Sequence, residues 1–229
     1  MTTDTEETGA RRPGRPPDPR KRDAILAAAQ LVFVADGYAA SMDRIAEEAG
    51  VSKQTIYKHF ESKELLFEAI VRRRSDRLTE PLVNAAPDAG VETVLHSLAL
   101  RFLELLTLPD YACVLRVLVG AQGQFPGLAD HFFEVGPRRS LGRLADYLSR
   151  MDRQGALRVP DPLAAAEQFL GLVNGQIQMR MVLGIGTDTS PAAMEARARA
   201  AVDVFLRAYG RREPAPAPEP GAPEGTRIS

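Results

Sequence analysis

The segment from Ser41 to Phe60, SMDRIAEEAGVSKQTIYKHF, limits what this chain can fold into more than any other. Ser41 can cap a short helix, its hydroxyl accepting from a free backbone N–H two or three residues on. Ile45, Ala46 and Ala49 give that helix an inward face. Gly50 stands where the helix must stop, since glycine takes the left-handed conformation at little steric cost. Val51 packs the turn, and Ser52 can cap a second helix whose Ile56 and Phe60 point inward. A helix ending at glycine, a tight turn and a second, polar-faced helix make the helix-turn-helix pattern.

The surface left on the second helix is Lys53, Gln54, Thr55, Tyr57, Lys58 and His59, with no acid from Ser52 to Phe60. A solvated helical hairpin would tolerate such a face. Its chemistry, almost entirely hydrogen-bond donors, suits phosphate oxygens and major-groove base edges. The formal net charge of −1 makes any nucleic-acid site local. A single cysteine, Cys113, excludes an internal disulfide and a cysteine zinc cluster, so no metal or cofactor is expected. No signal peptide and no apolar run of the roughly 18–20 residues needed to span a bilayer is visible. The expectation is a cytoplasmic protein with no membrane partner.

The flanking sequence is helical. Ile25, Ala28, Ala29, Val32 and Phe33 form one stripe of a helix from about Arg20 to Asp36 that Gly37 ends, with Tyr38 packed beneath. Ser62 can cap a further helix running to about Thr79 with Lys63 in its first turn, where an ammonium is ill-placed unless a phosphate lies there. Further helical stretches are predicted over 91–106, 111–121, 128–153, 162–183 and 191–209. The Tyr111–Ala121 helix is expected to be buried on most sides, Gly136-Pro137 to kink or interrupt the next one, and the loop starting at Pro81 to be irregular. The fold class is therefore all-α. The expected divisions are a disordered basic arm (1–17), a DNA-binding domain (18–78, motif 41–60), a C-terminal helical bundle for ligand binding and dimerisation (82–210) and a disordered tail (211–229).

Residues 20–70 resemble the N-terminal domain of the TetR family of bacterial transcription regulators. The resemblance rests on Phe33…Gly37-Tyr38, on Ile45-Ala46…Ala49-Gly50-Val51-Ser52 and on Tyr57…Phe60…Lys63-Glu64-Leu65 taken together. The segment FPGLADHFFEVGPRRSLGRLADYL is similar, more weakly, to the AefR-like members. The resemblance implies an all-helical homodimer, usually a repressor, with a small-molecule pocket in its C-terminal domain. It also implies that Ser41, Lys53, Gln54, Thr55, Tyr57, His59 and Lys63 face a double-stranded DNA operator. Tyr57, His59 and Lys63 would meet phosphate, and residues 53–55 would lie nearest the bases. Lys58 joins them by its place on the helix.

Three further sites are expected. A largely hydrophobic effector should sit within residues 91–181, where Phe102, Tyr111, Arg116, His131, Phe132, Asn174 and Gln178 are candidates; each also fits plain core or surface. The homodimer seam should involve Phe169 and Val173 with Ala193, Ala196, Ala200, Val204 and Phe205, small residues at helical spacing with Phe205 as a plug. Arg11, Arg12 and Arg15 sit in an extended Pro-Gly-rich arm suited to an A·T-rich minor groove. Deleting residues 1–16 should leave fold and dimer intact but weaken operator binding by about tenfold, or about 1.4 kcal/mol. The loss should shrink when flanking A·T pairs become G·C, as titration of both operators would show. A regulator with no small-molecule effector, answering to a protein partner or to abundance, stays open. An enzyme does not, since no nucleophile elbow, metal motif or phosphate loop is present.

Overall fold

Helices carry about three quarters of residues 19–86 and 88–211, the part of the chain that the computed structural model describes. They are α1 (Pro19–Asp36), α2 (Met42–Ala49), α3 (Lys53–His59), α4 (Lys63–Leu78), α5 (Glu80–Val83), α6 (Val91–Thr107), α7 (Pro109–Ala121), α8 (Leu128–Phe133), α9 (Arg139–Arg153), α10 (Pro162–Asn174), α11 (Ile177–Leu183) and α12 (Pro191–Tyr209). A π-helical turn, Glu134–Arg138, joins α8 to α9. Among the described residues there is no strand, only one bridge between Leu157 and Gly210. The arm with Arg11, Arg12 and Arg15, and residues 212–229 of the tail, lie outside the described residues.

Two compact units divide the chain, neither of them continuous in sequence. The first takes the described residues up to Arg77, with Leu106–Arg139 and Gln178–Gly186. Its core comprises the buried stripe Ile25, Ala28, Ala29, Val32 and Phe33 of α1, together with buried Ile45 and Ala46 of α2, Ile56 of α3 and Leu66, Ile70 and Val71 of α4. Aromatic rings fill the centre: Tyr38 lies 5.7 Å from Phe33, 5.3 Å from Phe67 and 5.2 Å from Phe125. α4 is tied along its length. Arg74 and Gln30 both donate to Asp110 of α7, Glu68 lies 3.2 Å from His131 of α8, and Asp76 accepts from Arg139 at 3.4 Å.

The second unit takes Leu78–Leu105, Ser140–Ile177 and the described residues from Thr187. Leu95, Leu98, Leu103, Leu144, Leu148, Phe169 and Phe205 are fully buried there.

Two expectations from sequence need correction, and a third holds in a particular form. The helix foreseen over 162–183 is broken: Gly175, at φ 49° and ψ −114°, ends α10, and α11 starts at Ile177. Few side chains tolerate that backbone, so the break falls on the one residue that does. Gly136-Pro137 does interrupt the α-helix over 128–153, as a π-helical turn whose wider ring accommodates the missing proline N–H. α7 is less buried than its apolar sequence implies: only Tyr111, Ala112 and Leu118 are interior, and Val119 is 69% exposed. A smaller difference is that Pro81 sits in the first turn of α5, a place proline favours, instead of opening a loop.

Candidate nucleic-acid interface

The α2–turn–α3 geometry follows from its capping residues. Ser41 Oγ accepts from the Arg44 N–H at 3.1 Å, and Ser52 Oγ accepts from the Thr55 N–H at 3.2 Å. Each serine satisfies a donor that a helix start would otherwise leave free. Gly50, at φ 63°, closes α2 with its N–H shared between the Ala46 and Glu47 carbonyls. Buried Ile45 and Ile56 set the roll of both helices, and that roll decides which side of α3 faces outward.

On that outward side Lys53, Gln54, Tyr57 and Lys58 are exposed, and Thr55 and His59 are partly covered. Thr55 Oγ1 shares a 2.8 Å hydrogen bond with Ser52 Oγ, so it is held near the turn. Lys53 is not spare: its Nζ donates to Asp43 Oδ2 at 2.8 Å, which raises its pKa. The pair is solvent-exposed, and so weak enough for a phosphate to compete with it. Arg44 is likewise engaged, by Asp36, Glu47 and Glu48.

Lys63 is half-buried. Its Nζ donates to the Ala40 carbonyl at 3.4 Å and lies 4.8 Å from the Tyr38 ring centre and 5.7 Å from that of Phe125. Beneath it the Tyr38 hydroxyl donates to Glu64 at 3.4 Å, and burial, with Glu64 adding to it, pushes that phenol up to about 12. Sequence reasoning missed Arg22, whose guanidinium stacks 5.1 Å from the Phe60 ring at the end of α3. The stacking depends on a tertiary contact that local sequence does not encode.

The effector candidates fall in both units. Phe102 and Asn174 belong to the second unit; Tyr111, Arg116, His131, Phe132 and Gln178 belong to the first. Within the first unit Phe132 packs on Phe67 at 6.4 Å, and buried Tyr111 lies 5.9 Å from the Arg74 guanidinium. Burial raises the Tyr111 phenol, and Arg74 opposes this. Arg116 sits within the apolar run of α7. It is exposed, and it also donates to the Met181 and Val182 carbonyls at 3.3 and 3.1 Å, capping the end of α11.

The expected seam residues all lie in the second unit and divide by burial. Phe169, Val173 and Phe205 are interior to the second unit, the two rings 5.2 Å apart and edge to face. They are therefore not free to meet a partner. Ala196, Ala200 and Val204 are exposed, and Ala193 is partly so; Ala193, Ala200 and Val204, with Leu172, Arg197 and Ala201, line a shallow groove between α10 and α12.

Two family profiles match this chain. Residues 25–70 match bacterial regulatory proteins of the tetR family, and residues 93–211 match the C-terminal domain of AefR-like transcriptional repressors. The chain belongs to the TetR family. It is a DNA-binding transcription regulator, and the 25–70 match spans α2, α3 and the Lys63 end of α4. Among TetR-family structures, a transcriptional regulator from Mesorhizobium loti aligns with a TM-score of 0.71 and 29% identity, over 84% of this chain and 98% of that one. The flavonoid-responsive regulator FrrA aligns with a TM-score of 0.66 and 35% identity, over 85% and 99%. The transcriptional activator FasR of Mycolicibacterium smegmatis is 49% identical over 71 residues, 31% of this chain and 32% of that protein. Among the described residues of this TetR-family chain, no helix is long and apolar enough to cross a membrane, and no group of acidic, His or Cys side chains could hold a metal.

Proposed function

We infer that this chain acts in the cytoplasm as a homodimeric repressor that a largely hydrophobic small molecule releases from its operator. The observation that carries the reading is the outward side of α3, free of acids and bearing Gln54, Tyr57 and Lys58, with Lys63 beside it on α4. Bases would be read by Lys53, Gln54 and Thr55. Phosphates would be held by Tyr57, His59 and Lys63, with Ser41, Lys58 and Arg22 alongside. The N-terminal domain would span 18–78 and the effector and dimer domain 82–210. Repression is supported by the AefR-like repressor match over 93–211. A hydrophobic effector is supported by FrrA, a flavonoid-responsive protein 35% identical to this one.

A two-state dimer explains release: the effector must favour a form whose α3 helices no longer match half-sites about one DNA turn apart. A coupling of roughly 1–3 kcal/mol is the usual scale. The second reading, regulation without a small molecule, is favoured by the engagement of Arg116 and His131 with protein groups, which leaves fewer polar handles for a ligand.

Selecting bound fragments from genomic DNA defines the operator. Release is then titrated with flavonoids and other hydrophobic phenols alongside charged metabolites. Release by the phenols supports the reading; release by charged metabolites alone overturns the hydrophobic effector, and release by none supports the second reading. Lys63→Ala is expected to weaken specific and random DNA about equally and to lower the salt slope by about one. Gln54→Ala should instead relax base preference. A sequence-selective loss for Lys63→Ala at unchanged slope would remove it from the phosphate set.

A further inference from the structure

Lys63 owes its place to a residue outside the helix-turn-helix. Phe125 lies between α7 and α8, where its N–H donates to the Ala121 carbonyl at 2.9 Å and its own carbonyl accepts from Leu128 at 3.2 Å. Its ring meets Tyr38 edge-on, at 5.2 Å and 81°, and the two rings flank the Lys63 ammonium. An ammonium has three donors. One is directed at Ala40, the residue before the α2 cap, leaving the others for a ligand. A lysine alone is a mobile point charge on a flexible stem. Two aromatic faces and one carbonyl fix its direction before DNA arrives, which lowers the ordering cost of a phosphate contact.

Tyr38 is set by the core, packed against Phe33 and Phe67. Phe125 stands in the connection between α7 and α8, so it is the more adjustable side of the clamp. We propose that Phe125 is a positioning residue for the Lys63 phosphate contact, and that the α7–α8 connection thereby tunes affinity for the DNA backbone. The inference rests on the reading of Lys63 as a phosphate ligand given above. A displacement of Phe125 by about a ring's width leaves Lys63 one aromatic face and weakens binding to all DNA sequences alike.

The experiment uses the full-length protein with Phe125→Leu, Phe125→Tyr, Lys63→Ala and the Phe125→Leu/Lys63→Ala double variant, each checked for an unchanged far-UV spectrum and melting point. Leucine keeps an apolar filler without a π face; tyrosine restores the face. Affinity is measured by fluorescence anisotropy on operator and random duplexes across salt concentrations. Phe125→Leu should weaken both duplexes by about two- to fivefold, the scale of one exposed cation–π contact. Its salt slope should fall toward that of Lys63→Ala, Phe125→Tyr should match wild type, and the double variant should be no weaker than Lys63→Ala alone. Losses that simply add in the double variant, or a harmless Phe125→Leu beside a damaging Lys63→Ala, overturn the inference and leave the phosphate role of Lys63 standing. A harmless Lys63→Ala overturns that role and the inference with it.

Discussion

Replacing Val204 with arginine is expected to leave the protein monomeric and to weaken its hold on a two-half-site operator by at least about a hundredfold, the lower end of what linking two binding modules supplies. Val204 is 50% exposed on α12, in line with Ala196, Ala200 and Ala208. Small side chains there let a second helix approach closely, and Leu172 of α10 adds apolar area beside them. An arginine at 204 would need a partner in a desolvated seam. It would find Arg197, already lining the same groove, and its own symmetry copy across a twofold axis.

The fold should not register this change. Phe169, Val173 and Phe205 hold α10 to α12 from the opposite side of the same helices. The variant should therefore melt within a few degrees of the wild-type monomer limit at low concentration. On a single half-site it should bind as the wild type does. Sedimentation velocity and anisotropy on full and half operators decide the matter; a Val204→Arg protein that still sediments as a dimer places the seam elsewhere.

That seam also shows what the sequence could and could not convey. α12 carries two apolar stripes. One is Ala198, Ala201, Val202 and Phe205; the other is Ala193, Ala196, Ala200 and Val204. Periodicity reveals both, but which one turns inward depends on what α10 offers across the gap, and Phe169 takes Phe205. The helix-turn-helix was legible because its information is local: Ser41 and Ser52 cap within three residues, and Gly50 stops α2 on the spot. The break at Gly175 was hidden because Phe169, Val173, Ile177 and Met181 keep helical spacing straight through it. The placement of Phe125 on Lys63 was not readable at all, since it joins distant segments through the fold of α1, α4 and α7.

The approach of α4 to the π-helical turn is a contact of the same distant kind, and it predicts opposite signs for one substitution at two glycines. Gly136 is buried, and a Cβ added there would lie 2.6 Å from Val71 Cγ1. Valine is branched at Cβ and stiff about χ1, and Val71 is itself interior, so it cannot rotate out of the way. Either the turn or α4 must move. Overpacking of this sort costs about 1–3 kcal/mol, and alanine's better helical preference returns about 0.5–1 of it. Gly136→Ala should therefore lower the melting point by roughly 2–8 °C for a chain of this size. Gly142, inside α9, has nothing within 4 Å of its added Cβ, so Gly142→Ala should gain about 0.5–1 kcal/mol instead. Val71→Ala removes the colliding methyl, so the Gly136→Ala/Val71→Ala pair should be more stable than the sum of the two single losses by at least about 0.5 kcal/mol. Glu68 and Asp76 meet His131 and Arg139 on either side of Val71, so both backbones are pinned near the collision. A Gly136→Ala protein stabilised as much as Gly142→Ala would mean that α4 and the turn part at no cost, and the close approach would then be no constraint on the unit.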